Sequence, residues 1–168
     1  VTATDANGDS ITFTVSGSEL EITSAGVLTF ASAPDFETKS SYTAIVSASN
    51  GINSTTQDIT VNVTNINDNS PVFTSDATFS AAENQTAIGT VTATDADRVA
   101  GDGIVYSISG SDITINSSTG FIVFASAPDY ETKTSYTATV TASDGNNATT
   151  QDITVNVTNI NDNSPVFT

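Results

Sequence analysis

Short runs in which Val, Ile, Phe, Tyr and Ala alternate with Thr, Ser and Asn recur along the chain, separated by clusters of Gly, Asn, Asp and Pro. A period of two marks a half-buried strand, and the intervening residue types are those that turns require. The pattern predicts strands over 11–15, 27–31, 42–49 and 58–64, then over 72–80, 89–94, 104–108, 121–125, 136–143 and 152–158. No stripe of period 3.6 occurs, so the expected class is all-β. Seven or so short strands in each unit predict tandem Greek-key β-sandwiches of immunoglobulin-like architecture, with Thr and Ser on the solvated faces.

The same text is written twice. Residues 55–74, TTQDITVNVTNINDNSPVFT, recur letter for letter at 149–168, an offset of 94, and ASAPDFETKSSYTA from Ala31 returns as ASAPDYETKTSYTA from Ala125. VTATDA at Val1 recurs at Val91, an offset of 90. The difference places a short insertion after Asp95 and leaves 75–90 without a counterpart in the first copy. The expected domains are a first repeat over 1–69 lacking its opening strand, a second over 70–163, and the start of a following repeat at 164–168. The opening segment is expected either upstream in a parent protein or absent. Without it the first unit should expose a sheet edge and part of its core, which invites pairing with another chain.

Composition narrows the chemistry. There are 19 Asp and Glu against 3 Lys and Arg, a formal net charge of −16, and neither His nor Cys. Missing thiols and imidazoles exclude a disulfide framework, the usual zinc ligands, a Cys nucleophile and a His base. An acidic surface repels phosphate and anionic lipid, so nucleic acid is not an expected partner. No run approaches about 18 uninterrupted apolar residues and Val1 does not open a leader, so membrane insertion is not expected either.

The acids gather in the connections: Asp5, Asp35 and Glu37, Asp68, Glu83, Asp95 and Asp97, Asp129 and Glu131, Asp144 and Asp162. Carboxylates and Asn amides at alternate positions beside turns suit a hard cation such as Ca2+, which takes about six to eight oxygen ligands. A solvated acidic rim, or adaptation to high salt, accounts for the composition equally well.

Taken in order, these motifs resemble the cadherin repeat over the whole chain. Asn65-Ile66-Asn67-Asp68-Asn69 followed by Ser70-Pro71-Val72-Phe73 is similar to the interdomain D-x-N-D-N-x-P-x-F linker, repeated from Asn159 to Phe167. Ala82-Glu83-Asn84 resembles the x-E-N opening of a repeat, Asp35-Phe36-Glu37 and Asp129-Tyr130-Glu131 the D-R-E element, Asp95-Ala96-Asp97 the D-x-D element, and Asp144 the late single Asp.

The resemblance implies Ca2+ at the junctions between successive repeats. Its ligands here would be Asp35, Glu37, Asn65, Asn67 and Asp68 from the first unit and linker, and Asp95, Asp97 and Asp144 from the second. Carbonyls at Ile66 and Asn69, and one near Gly101 or Asp102, would complete the shells. Glu83, Asp129, Glu131, Asn159, Asn161 and Asp162 would form half of a further junction, and Asp5, Asn7 and Asn50 the remnant of an upstream one. Asn65 and Asn159 stand where the linker has its first Asp, which should weaken the middle ion; Phe36 and Tyr130 replace an Arg that is not a ligand. Asn7 and Asn50 replace acids.

Six carboxylates around one linker repel one another without a counter-ion, leaving the units to hinge; Ca2+ should stabilise the straight arrangement. No Trp anchor is present for strand-exchange adhesion. The near-identical tandem copies resemble the arrays of secreted bacterial adhesins. The resemblance therefore implies a Ca2+-rigidified extender at the cell surface, partnered by neighbouring repeats of its own chain. The alternative is a carbohydrate-binding or cell–cell adhesion module that recognises polysaccharide or another surface ligand. An enzyme is not expected, since Asp35 and Glu37 sit in a repeated linker motif.

Overall fold

The computed structural model describes residues 1–97 and 103–167, and the described chain is strands and turns throughout. None of it forms a helix long and apolar enough to cross a membrane. It divides into two units, Val1–Ile66 and Asn67–Thr168.

In the first unit, β1 (Thr12–Val15), β4 (Ser41–Ser49) and β5 (Ser54–Asn62) make an antiparallel sheet in the order β1-β4-β5. The hairpin β2 (Leu20–Ile22) and β3 (Leu28–Phe30) makes the other. The turn between β4 and β5 is built by Asn50, whose Oδ1 accepts the N–H groups of Ile52 and Asn53 at 3.0 and 2.8 Å. Asn favours such turns because its side chain imitates the next backbone acceptor.

The second unit holds β6 (Val72–Phe73), β7 (Thr78–Ala82), β8 (Ala87–Thr90), β9 (Ala93–Thr94), β10 (Val105–Ile108), β11 (Ile113–Ile115), β12 (Phe121–Phe124), β13 (Ser135–Ser143) and β14 (Ala148–Thr158). One sheet has the order β10-β13-β14-β7, another β11-β12-β8, and β6 pairs with β9. The strand expected over 72–80 is thus two strands. β6 runs antiparallel to β9, whereas β7 lies parallel to β14, so the chain changes sheet between them. The strand expected over 89–94 breaks likewise at Val91, whose N–H turns aside to the Gly120 carbonyl at 2.9 Å. Gly120 has φ +71°, and a Cβ there would fall on the Val91 carbonyl oxygen, so the crossing needs glycine. Joined at these breaks, the nine pieces are the seven strands of the expected sandwich. The strands β2 and β11 were not foreseen.

One core unites both sheets: Val91, Ile113, Ile122 and Phe124 meet Tyr106, Val140, Ala142, Ile153 and Val155. The first unit buries far less from nearly the same residues. Ile153 and Phe124 are 1% and 2% exposed, whereas their counterparts Ile59 and Phe30 are half-buried. The cause is local: β7 covers the edge of β14 and β8 pairs with β12, while β5 pairs with β4 alone among the described residues. Among the described residues its outer edge is unpaired.

Candidate metal sites

Glu83 follows the last residue of β7, where its N–H donates to the Thr158 carbonyl at 3.1 Å. The residue is 1% exposed, yet it carries a carboxylate. Oε2 accepts the Tyr130 N–H at 2.8 Å and Oε1 the Ile160 N–H at 2.7 Å, which satisfies a group that burial would otherwise penalise. Asp129-Tyr130-Glu131-Thr132 is a tight turn: Asp129 Oδ1 accepts the Glu131 N–H at 3.0 Å and Oδ2 the Thr132 hydroxyl at 2.8 Å. Tyr130 packs against the core, which explains an aromatic residue at that place. The turn delivers the acids to Glu83, so that one oxygen from each of Glu83, Asp129 and Glu131 lies within 4.8 Å of the others.

The rest of this predicted half-site is held by amides. Asn159 Nδ2 donates to Glu131 Oε1 at 3.0 Å, and Asn84, in the left-handed region at φ +62°, donates to Asp162 Oδ2 at 2.6 Å. Asn161 is exposed.

Asp97, also in the second unit, is 3% exposed. Its Oδ2 accepts the N–H groups of Asp68, at 2.9 Å, and of Asn69; its Oδ1 accepts Asn69 Nδ2 at 2.7 Å. Asp95 Oδ1 accepts the Asp97 N–H at 2.9 Å, while Asp95 Oδ2 is buried with no hydrogen-bond partner among the described residues. Asp144 Oδ1 accepts the N–H groups of Asn146 and Asn147 at 2.7 and 2.6 Å. Asn67, Asp68, Asn69, Asp95, Asp97 and Asp144 are therefore assembled around one segment. Gly101 and Asp102 lie outside the described residues.

Asn147 was not among the predicted residues, although it belongs to this group. Its Nδ2 donates to Asn67 Oδ1 at 3.0 Å and to the Asn69 carbonyl at 2.8 Å, with Asp144 Oδ2 at 3.4 Å. The one available signal was the Asn at the same offset in the first copy, Asn53.

In the first unit, Asp35 repeats the turn of Asp129, with Oδ1 accepting the Glu37 N–H at 3.0 Å and Oδ2 the Thr38 hydroxyl at 2.8 Å. Glu37 is exposed, Asn65 half-buried and Ile66 65% exposed. Asp5 and Asn50 do come together, Asn50 Nδ2 donating to Asp5 Oδ2 at 3.0 Å, and the Asn7 N–H donates to Asp5 Oδ1 at 2.8 Å.

Hydrogen bonds to the charged form hold four of these carboxyls below the usual aspartate range. The leading donors are the Asn7 backbone amide for Asp5, the Thr38 hydroxyl for Asp35, the Thr132 hydroxyl for Asp129 and the Asn147 backbone amide for Asp144. The two lysines pair outside the clusters. Lys39 pairs with Glu19 at 2.5 Å and Lys133 with Asp112 at 2.7 Å, each ammonium lying over a Tyr ring. Arg98 is outside the described residues.

Residues 77–158 match the family model described as Cadherin domain. The second unit belongs to the cadherin domain family. The first carries the same linker text at an offset of 94, with β4 and β5 closely similar in sequence to β13 and β14. Over 192 aligned residues the chain is 34% identical to the Protocadherin-like wing polarity protein stan of Drosophila melanogaster, an alignment that takes in 99% of this chain and 5% of that protein. It is 36% identical over 148 residues to human Protocadherin Fat 1, covering 79% of this chain and 3% of that one. Among solved structures, the protocadherin gammaB7 EC3-6 cis-dimer matches with a TM-score of 0.81 at 27% identity, over 96% of this chain and 43% of that one. Mouse Cadherin-23 EC22-24 matches with a TM-score of 0.75 at 28% identity, over 95% and 57%. The chain spans a small part of these curated relatives. Cadherin repeats are extracellular, adhesion-type modules, and the expected location outside the cell holds. The named relatives are animal proteins, so the expected bacterial adhesin setting draws no support from them.

Proposed function

We propose that the chain is a Ca2+-rigidified extender, in which ions bound at the junctions between successive cadherin repeats hold the array straight. The observation that carries this reading is the group of Glu83, Asp129 and Glu131, three acids whose oxygens converge while the described lysines pair elsewhere. Asp95 Oδ2, buried with no hydrogen-bond partner among the described residues, adds to it. Every donor is a carboxylate, an amide oxygen or a backbone carbonyl, a set that fits a hard cation.

In this proposal Asp35, Glu37, Asn65, Asn67 and Asp68, with the Ile66 and Asn69 carbonyls, serve one junction together with Asp95, Asp97 and Asp144. Glu83, Asp129, Glu131, Asn159, Asn161 and Asp162 offer half of the next, and Asp5, Asn7 and Asn50 half of the one before. Ca2+ supplies the positive charge that lets these oxygens stay close. The residues bind and orient it, with affinity in the range of about 10⁻⁴–10⁻³ M usual for extracellular modules.

Polysaccharide binding is the less favoured reading. Tyr42 and Tyr136, the obvious sugar platforms, are packed edge-on against Phe30 and Phe124 at 5.1 and 5.0 Å and capped by lysines.

Calorimetric titration with Ca2+, paired with small-angle scattering in EDTA and in Ca2+, tests the extender on wild type and Asp68→Ala. Binding with a longer or narrower distribution of dimensions in wild type, weakened in Asp68→Ala, is expected. Unchanged scattering and no heat in wild type would overturn it.

A further inference from the structure

We propose that Asn147 docks residues 67–69 onto the second unit and presets their oxygens before any cation arrives. The base of this residue is fixed. Its N–H donates to Asp144 Oδ1 at 2.6 Å, and its carbonyl accepts the Asp144 N–H at 3.2 Å and the Ser143 hydroxyl at 3.0 Å. From there the side-chain amide reaches Asn67 Oδ1 and the Asn69 carbonyl at 3.0 and 2.8 Å.

An amide nitrogen has two hydrogens, which these two shorter bonds engage, Asp144 Oδ2 sharing one of them at 3.4 Å, and each accepting oxygen keeps a second lone pair. The oxygens are therefore oriented without being used up. A carboxylate in place of the amide would repel Asp144 and Asp97, and an ammonium would itself neutralise the charge that attracts a metal ion. A neutral donor orders the oxygens and leaves the field of the acids intact. Asp97 completes the grip by taking the N–H groups of Asp68 and Asn69, so the segment is held through acceptors by Asn147 and through donors by Asp97. Ordering the segment in advance removes part of the entropy that cation binding would otherwise have to overcome.

The docking stands on hydrogen bonds alone; its effect on Ca2+ affinity rests on the function proposed above. Backbone hydrogen exchange of the full chain in EDTA is the test, on wild type, Asn147→Ala, Asn147→Asp and, as a control at the same place in the first unit, Asn53→Ala. Loss of a bond of ordinary strength corresponds to roughly tenfold in the opening equilibrium. Exchange at Asp68 and Asn69 is expected to quicken by about that factor in both Asn147 variants, with the β14 amides unchanged and Asn53→Ala like wild type. In calorimetry, Asn147→Ala should bind Ca2+ several-fold more weakly. Unaltered exchange at Asp68 and Asn69 would overturn the docking, as would an increase shared equally by β14, the mark of general destabilisation. Failure of wild type to bind Ca2+ would overturn the proposed function, while the EDTA arm still decides the docking.

Discussion

Glu83 combines near-complete burial with an acceptor role toward two backbone N–H groups from different parts of the unit, Tyr130 and Ile160. Removing the carboxylate strands both donors in the interior. Glu83→Ala is expected to lower stability by about 3 kcal/mol in denaturant titration without Ca2+, and a loss below about 0.5 kcal/mol would contradict the account. The less buried aspartates act differently. Asp5, Asp35, Asp129 and Asp144 ionise more readily folded than unfolded, so each contributes stability that is present above the unfolded value of about 3.9 and lost as pH falls through its lower folded value. The metal-free melting temperature should then stay level from about pH 7 to pH 5 and decline below about pH 4; a decline beginning near pH 6 would refute this. Carboxylates announced themselves in the sequence because acids clustered in turns are unusual against strands nearly devoid of charge. Asn147 did not, because in a chain so rich in Asn one more amide carries no pattern, and its reach to Asn67 depends on how the β13–β14 turn folds.

Strands display the same division between what is local and what is not. Periods of two gave away β4, β5, β13 and β14, whose alternating faces are long enough to read. Breaks at 74–77 and at Val91 were invisible, since alternation continues across them while the hydrogen bonds pass to another sheet. Burial is likewise a matter of neighbours. Ile59 and Ile153 occupy equivalent places in β5 and β14, yet the second is sealed by β7 and the first is not. Ile153→Ala is therefore expected to cost about 2–5 kcal/mol, and Ile59→Ala less than half as much, because a half-exposed side chain leaves a smaller void. Thermal unfolding of the two variants side by side checks this, and equal losses would show that β5 is covered in solution.

Across the whole chain, a net charge of −16 is carried by turns while the strands are nearly neutral. Mutual repulsion on such a surface keeps separate molecules apart in solution. It does not keep apart two stretches of the same molecule, and here the duplicated text has a kinetic consequence. The nine residues of β5 differ from the first nine of β14 at one position, Ser54 against Ala148. During refolding, β14 can therefore zip onto β4, or β5 onto β13, with every side chain on its proper face. Short turns favour the native hairpins, because the smaller loop closes first. A minority of chains should nonetheless enter the exchanged pairing and leave it slowly, as tandem domains of near-identical sequence are prone to do. Stopped-flow refolding is expected to show a slow phase whose amplitude is independent of protein concentration. Thr56→Lys with Thr60→Glu, which alters only exposed positions of β5, should shrink it. The likeness between the two copies thus sets a limit on how faithfully a long array of such repeats can fold unless synthesis presents them one at a time.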